Sequence, residues 1–174
     1  MKGNSQSLKL PNQLWLISLL IGLLGWSCSA TRHWLLQSNA YDLGLFDQWA
    51  WLVSKGLPPV STMEGVHLLA DHAAWWLYLS GALYAIQPSL DWLLASQALA
   101  LSFTAIPIWM LATQARLPRK LCWLACLLWW LQPVVFNCNL FDFHPEVWGM
   151  PVLALALWAE RAGRPILWIT LLLS

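Results

Sequence analysis

Eight carboxylates and four histidines occur in the 174 residues, and five of these twelve fall into two short stretches able to do chemistry. The first is Tyr-Asp-Leu-Gly-Leu-Phe-Asp-Gln at 41–48, with Asp42 and Asp47 five residues apart. On an unbroken helix that spacing separates the two carboxylates by about 140°, too far to share one ion or one substrate atom. A turn ending at Gly44, with the helix starting after it, would bring both acids to one helix end, where a carboxylate accepts a proton or holds a cation. The competing reading makes Asp42 a helix cap and Asp47 a first-turn acid, each stabilising the helix by about 1 kcal/mol or less. Spacing alone leaves both open.

The second stretch, Asn-Leu-Phe-Asp-Phe-His-Pro-Glu at 139–146, carries Asp142, His144 and Glu146. Pro145 drives His144 toward extended geometry, and alternate residues of an extended segment point the same way. Two carboxylates and an imidazole would then converge, a set suited to a divalent cation or to acid and base work. In the alternative, Pro145 opens a helix and Glu146 complements its dipole, leaving Asp142 and His144 to account for. Between the stretches, Asp71 and His72 stand where a helix begins, as a cation- or proton-handling pair or as a helix cap. His67 and His72 match no metalloprotease spacing. Cys28, Cys122, Cys126 and Cys138 lack the paired spacing of zinc or redox sites and read as small apolar fillers.

The elements that position these residues follow from composition. The chain is 59% hydrophobic and 10% charged, with a mean hydropathy of +0.57, which excludes disorder. A net charge of +1 leaves no basic surface of the kind nucleic acids need. Fifteen tryptophans suit a molecule with two apolar-to-aqueous boundaries. The expected fold is all-α: a polytopic transmembrane helical bundle whose extracytoplasmic loop contains interfacial helices. A first span is expected at 13–30, uncleaved: the small residues at 27–30 are compatible with a cleavage site, but Gly25-Trp26-Ser27-Cys28 lacks the leucine and small pair of a lipoprotein signal and more apolar segments follow. A loop at 31–72 precedes an interfacial or partial helix at 73–86, too short to cross on its own. Spans are expected at 90–112, 121–136 and 147–160, and 166–174 begins another. Pro107 should kink the 90–112 span without ending it. Gln97 and Thr104 share one face there and should join helices.

Charge placement sets the sidedness. If 73–86 does not cross and the N-terminus is inside, Lys2, Lys9, Arg116, Arg119, Lys120, Arg161 and Arg164 are cytoplasmic, with Arg32 and Lys55 outside. A crossing with the same start reverses most of these. A crossing with the N-terminus outside also satisfies the count, but it needs the short segment to span and ignores the two lysines flanking the leading helix. On the preferred arrangement every acid except Glu160 is extracytoplasmic.

The run at 41–48, Ala-Asp-His at 70–72 and the run at 139–146, in that order, resemble the N-terminal part of an uncharacterised bacterial family of multi-pass membrane proteins, the domain of unknown function 2079. The resemblance covers most of the chain. It implies a plasma (inner) membrane protein of which this is the N-terminal portion, so that missing C-terminal helices or another chain would complete it. The family is in turn distantly similar to the C-type (GT-C) glycosyltransferases, which take a sugar from a polyprenyl-phosphate donor and use an acid of the first extracytoplasmic loop. By that resemblance Asp42 is the first candidate base or metal-linked carboxylate and Asp47 the second. Asp71 and His72, with Asp142, His144 and Glu146 around a divalent cation, would complete the site. The implied partners are the lipid bilayer and a polyprenyl-phosphate-linked sugar, with no nucleic acid. The alternatives are a non-enzymatic membrane component, such as a transporter part or scaffold, or an inactive fragment.

Overall fold

The computed structural model describes residues 10–71 and 74–173. In chain order come α1 (Asn12–Trp34), α2 (Ala40–Ser54), α3 (Leu68–Asp71), α4 (Leu77–Ile86), α5 (Asp91–Phe103), α6 (Ala105–Gln114), α7 (Arg119–Trp130) and α8 (Pro133–Leu140). A 3-10 turn at Pro145–Trp148, α9 (Gly149–Arg161) and α10 (Pro165–Leu172) follow. No strand occurs among the described residues; Val60 and His67 form an isolated bridge. The fold is all-α.

Prolines decide where the long apolar helices bend. Pro107 has no N–H to offer Phe103 and its ring crowds that carbonyl, so α5 gives way to α6 at Thr104, one turn earlier. Thr104 eases the break by donating its hydroxyl to the Ala100 carbonyl, 2.8 Å away. Asp91–Gln114 still runs for 24 residues as one apolar helix. Pro133 holds Gln132 extended, and α7 and α8 meet there at 42°. Two helices, α1 and α5–α6, are long and apolar enough to cross a membrane, or three if the bent α7–α8 pair forms one span. The helix at the 147–160 segment starts later, at Gly149, and runs for 13 residues.

Small residues bring α1 and α5 together. Ser18 and Gly22 are buried on α1, and a Cβ on Gly22 would lie 2.7 Å from Ser102 Oγ and 2.8 Å from Leu99 Cδ2. Lipid offers apolar helices no net hydrophobic gain from meeting, so close backbone approach and polar clasps must hold them. Trp129 and Trp130 supply two such clasps, donating their indole N–H groups to the Leu101 and Ser102 carbonyls at 2.7 and 3.0 Å.

The 31–72 connector is a folded lobe. α2 packs on α4 around Gly81, where Val53 fills the space a side chain would need. Phe46, Trp49, Leu68, Leu77, Tyr84, Leu93 and Phe143 form its fully buried centre. Phe143 belongs to the second connector, so the two connectors share one core. At 10 residues, α4 is about 15 Å long, half a bilayer core. If α5–α6 and α7–α8 both cross, the chain returns to the face it left, and the two connectors, which share a core, then lie on one face when α4 does not cross.

Single cysteines at Lys55 and Phe141, in a background with the native cysteines replaced by alanine, should therefore react with an impermeant maleimide from the same side of sealed vesicles. A cysteine at Arg119 should react only from the other side. Gly22→Leu should lower the thermal midpoint in detergent by about 1–3 kcal/mol equivalent, the usual cost of forcing atoms into a filled interface.

Candidate functional site

The second connector turns on Asp142. Its φ is +44°, in the left-handed region that aspartate tolerates better than most residues, and Pro145 keeps His144 extended at φ −137°. This geometry points the Asp142 side chain inward, where its carboxylate is fully buried. Arg32 Nη1, in the last turn of α1, donates to Oδ1 at 2.8 Å, and the Asn39 backbone N–H donates to Oδ2 at 2.9 Å. Gln97, fully buried on α5, completes the clasp. Its Nε2 donates to the Asp142 carbonyl at 2.7 Å, and its Oε1 accepts from the His144 N–H at 2.8 Å. Asn139 ties the same turn to α1, donating to the Gly25 carbonyl at 2.8 Å.

A groove of about 660 Å³ opens beside this clasp. Arg32, His144 and Glu146 give it polar character, while Leu140, Phe141, Val147 and Met150 form apolar walls. Arg32 is about a quarter exposed, and only one of its N–H groups is spent on Asp142. His144 stacks on Phe141 with ring centroids 5.3 Å apart, and its Nδ1 lies 3.2 Å from the Phe141 carbonyl. Asp142, His144 and Glu146 do not converge as a ligand set. Among the described residues no group of three His, Cys, Asp or Glu side chains is placed to hold a metal ion. The alternation expected of an extended segment fails because the left-handed turn at Asp142 rotates its carboxylate away to Arg32.

On α2 the helix runs unbroken through Gly44, so Asp42 and Asp47 stay on different faces. Asn39, one turn earlier than Asp42, is the cap, accepting from the Tyr41 N–H at 3.0 Å and donating to Asp42 Oδ2 at 3.4 Å. Asp42 is therefore the first-turn acid. Asp47 turns inward to α4, where the Tyr84 hydroxyl donates to its Oδ1 at 2.8 Å. Burial holds the Asp47 carboxyl above its ordinary pKa, against the opposing pull of the Tyr84 hydrogen bond and of His33. Burial likewise raises Tyr84, with the Asp47 charge adding to it.

The outer face of α2 carries the rest of the first connector. Gln48 and Thr62 exchange two hydrogen bonds of 2.8 and 2.9 Å. The Tyr41 hydroxyl donates to Glu64; this bond is the main cause of a raised Tyr41 pKa, to which Asp71 and Asp42 also contribute. His72 lies outside the described residues. The sequence reading missed Arg32 and Asn39 as site residues. The signal for Arg32 was present, since it and Lys55 are the only lysine or arginine residues between positions 10 and 115.

Residues 32–174 match the sequence model of a family described as "Predicted membrane protein (DUF2079)". The chain belongs to this family. The match begins at Arg32 and takes in both connectors, so the clasp lies wholly within the family region. No curated protein and no solved structure matches the chain.

Two variants test this geometry. Asp142→Asn strips the charge opposite a largely buried guanidinium and should cost about 2–3 kcal/mol of stability, read as the thermal midpoint in detergent. For Asp47 the raised folded pKa sets the sign: its contribution is complete below the ordinary value of 3.8 and is lost as pH rises through the folded value. Asp47→Asn should therefore be more stable than the parent at pH 8, by no more than about 1 kcal/mol for so partly solvated a pair, and equal to it at low pH.

Proposed function

We propose that this membrane protein handles a lipid-linked sugar where its two connectors meet, as part of a glycosyltransferase-like enzyme. The observation that carries this reading is the amphipathic groove. Its apolar walls suit the first units of a lipid tail, and Arg32, His144 and Glu146 suit a head bearing a phosphate and hydroxyls. Asp42 is linked to that groove through side chains and one backbone N–H, in the order Asp42, Asn39, Asp142, Arg32.

In the transfer, an acceptor hydroxyl attacks the sugar's anomeric carbon and gives its proton to the Asp42 carboxylate. The bond from that carbon to the phosphate oxygen breaks, and the electron pair leaves on the lipid phosphate. The free N–H groups of Arg32 hydrogen-bond the phosphate. Because Asp142 already neutralises Arg32, their contribution is directional hydrogen bonding more than net charge. The donor set does not fit the expected divalent cation, since Asp142 is committed to Arg32, and no step is routed through a metal. We place the groove at the extracytoplasmic face of a plasma membrane, the side opposite most of the arginines and lysines. Further helices of the same or another chain would enclose the donor.

A second reading, a non-enzymatic lipid-binding scaffold, is favoured by one specific observation: Asp142, Asp47 and Asn39 are all engaged in holding elements together. The two readings part at Asp42. In a transfer assay on reconstituted protein with a polyprenyl-phosphate sugar, Asp42→Asn should reduce turnover at least a hundredfold, the scale of general base catalysis, while changing stability by about 0.5 kcal/mol or less. Undiminished turnover removes Asp42 from the reaction, and binding without turnover in the parent protein selects the scaffold.

A further inference from the structure

The end of the molecule away from the groove carries a charge imbalance that neither reading uses. α6 ends in a turn at which Arg116 takes a φ of +58°, its N–H donating to the Thr113 carbonyl and that of Leu117 to Ala112. This closure presents Arg116 outward, and Arg119 and Lys120 follow immediately at the start of α7. All three side chains are exposed. No acid lies within the turn or the first turn of α7, so two cations begin a helix whose dipole disfavours them. α9, which packs on α6, ends in Arg161 followed by Arg164, with Glu160 as the nearby acid. Among the described residues none of these five cations forms an ion pair, the Arg32–Asp142 bridge being the one recorded.

A groove of about 300 Å³ opens at the same turn. Arg119 and Thr113 give it a polar end, and Trp109, Leu117, Cys122 and Leu10 give it apolar walls. The two grooves differ in charge: in the first, Arg32 is paired with Asp142, whereas here Arg119 has no carboxylate partner among the described residues.

We propose that this basic end binds an anionic phospholipid, with the headgroup phosphate on Arg119 and its neighbours Arg116 and Lys120 and one acyl chain along Trp109 and Leu117. Three observations select a lipid over a soluble anion or a protein. The cations sit at the end of an apolar helix long enough to cross a membrane, the groove joins a charged mouth to apolar walls, and its volume of about 300 Å³ is small for a protein segment. A basic side chain near an anionic lipid surface contributes about a fivefold gain in affinity, so the local three act together strongly.

The test uses the full chain in mild detergent. Dioleoyl phosphatidylglycerol, dioleoyl phosphatidylcholine and inorganic phosphate are titrated separately, with binding read by native mass spectrometry and by the thermal midpoint. Phosphatidylglycerol should bind at least tenfold more tightly than phosphatidylcholine, raise the midpoint, and lose most of this advantage at high salt. Arg119→Gln with Lys120→Gln should weaken phosphatidylglycerol by about twentyfold or more, whereas Lys55→Gln, at the other end, should leave it unchanged. Equal binding of the two lipids, retention of the preference in the double variant, or a midpoint shift reproduced by inorganic phosphate alone would each overturn the proposal. The comparison of lipids and salt on the unaltered protein decides the matter even if the double variant does not fold.

Discussion

A single buried carboxylate organises the acidic end of this protein. The Asp142 carboxylate is removed from solvent, and Arg32 and the Asn39 N–H meet it from the end of α1 and the start of α2. Leaving any one of those groups unpaired would expose the desolvation cost of the others. The constraint therefore fixes three separate pieces of chain at once. Gln97 adds a fourth, reading the Asp142 carbonyl and the His144 N–H from α5 with its two amide ends. An amide is well suited to this work inside a bundle, because it satisfies a donor and an acceptor together without carrying charge.

Around that node the molecule divides into two ends of opposite character. The acidic end is a folded lobe in which α2, α4 and Phe143 share a core, and its groove faces the clasp. The basic end is a pair of tight turns with exposed arginines and a narrower groove. Between them, small residues on α1 and indole clasps from α7 join the apolar helices where lipid cannot. The division follows from solvent: charges are expelled from the apolar middle and collect at the ends of the long apolar helices.

Much was legible in the residues themselves. The apolar runs, their lengths and their prolines dictate an all-α fold with helices able to cross a membrane, because an unpaired backbone in lipid is too costly for any other open arrangement. Pro107 announced one bend, although the α5–α6 break falls at Thr104, where its ring presses on the preceding turn, whereas the bend at Pro133 inside the expected 121–136 span was not foreseen. Gln97 was recognisable as a joining residue because an amide within an apolar run must find partners. The second connector stood out in the sequence as the place where acids, histidine and aromatics alternate, and His144 and Glu146 of that stretch line the groove.

What the sequence could not supply was the direction of each side chain. Asp142, His144 and Glu146 sit at alternate positions, yet the left-handed turn at Asp142 sends its carboxylate to a partner 110 residues away while His144 and Glu146 line the groove. Asp42 and Asp47 divide likewise, one toward solvent and the other toward Tyr84 on a later helix. Periodicity records which face of its own element a residue occupies. Whether that face meets water, a cation or another helix is settled only when distant segments pack, since the energy that chooses among those fates belongs to the contact and to no single stretch of chain.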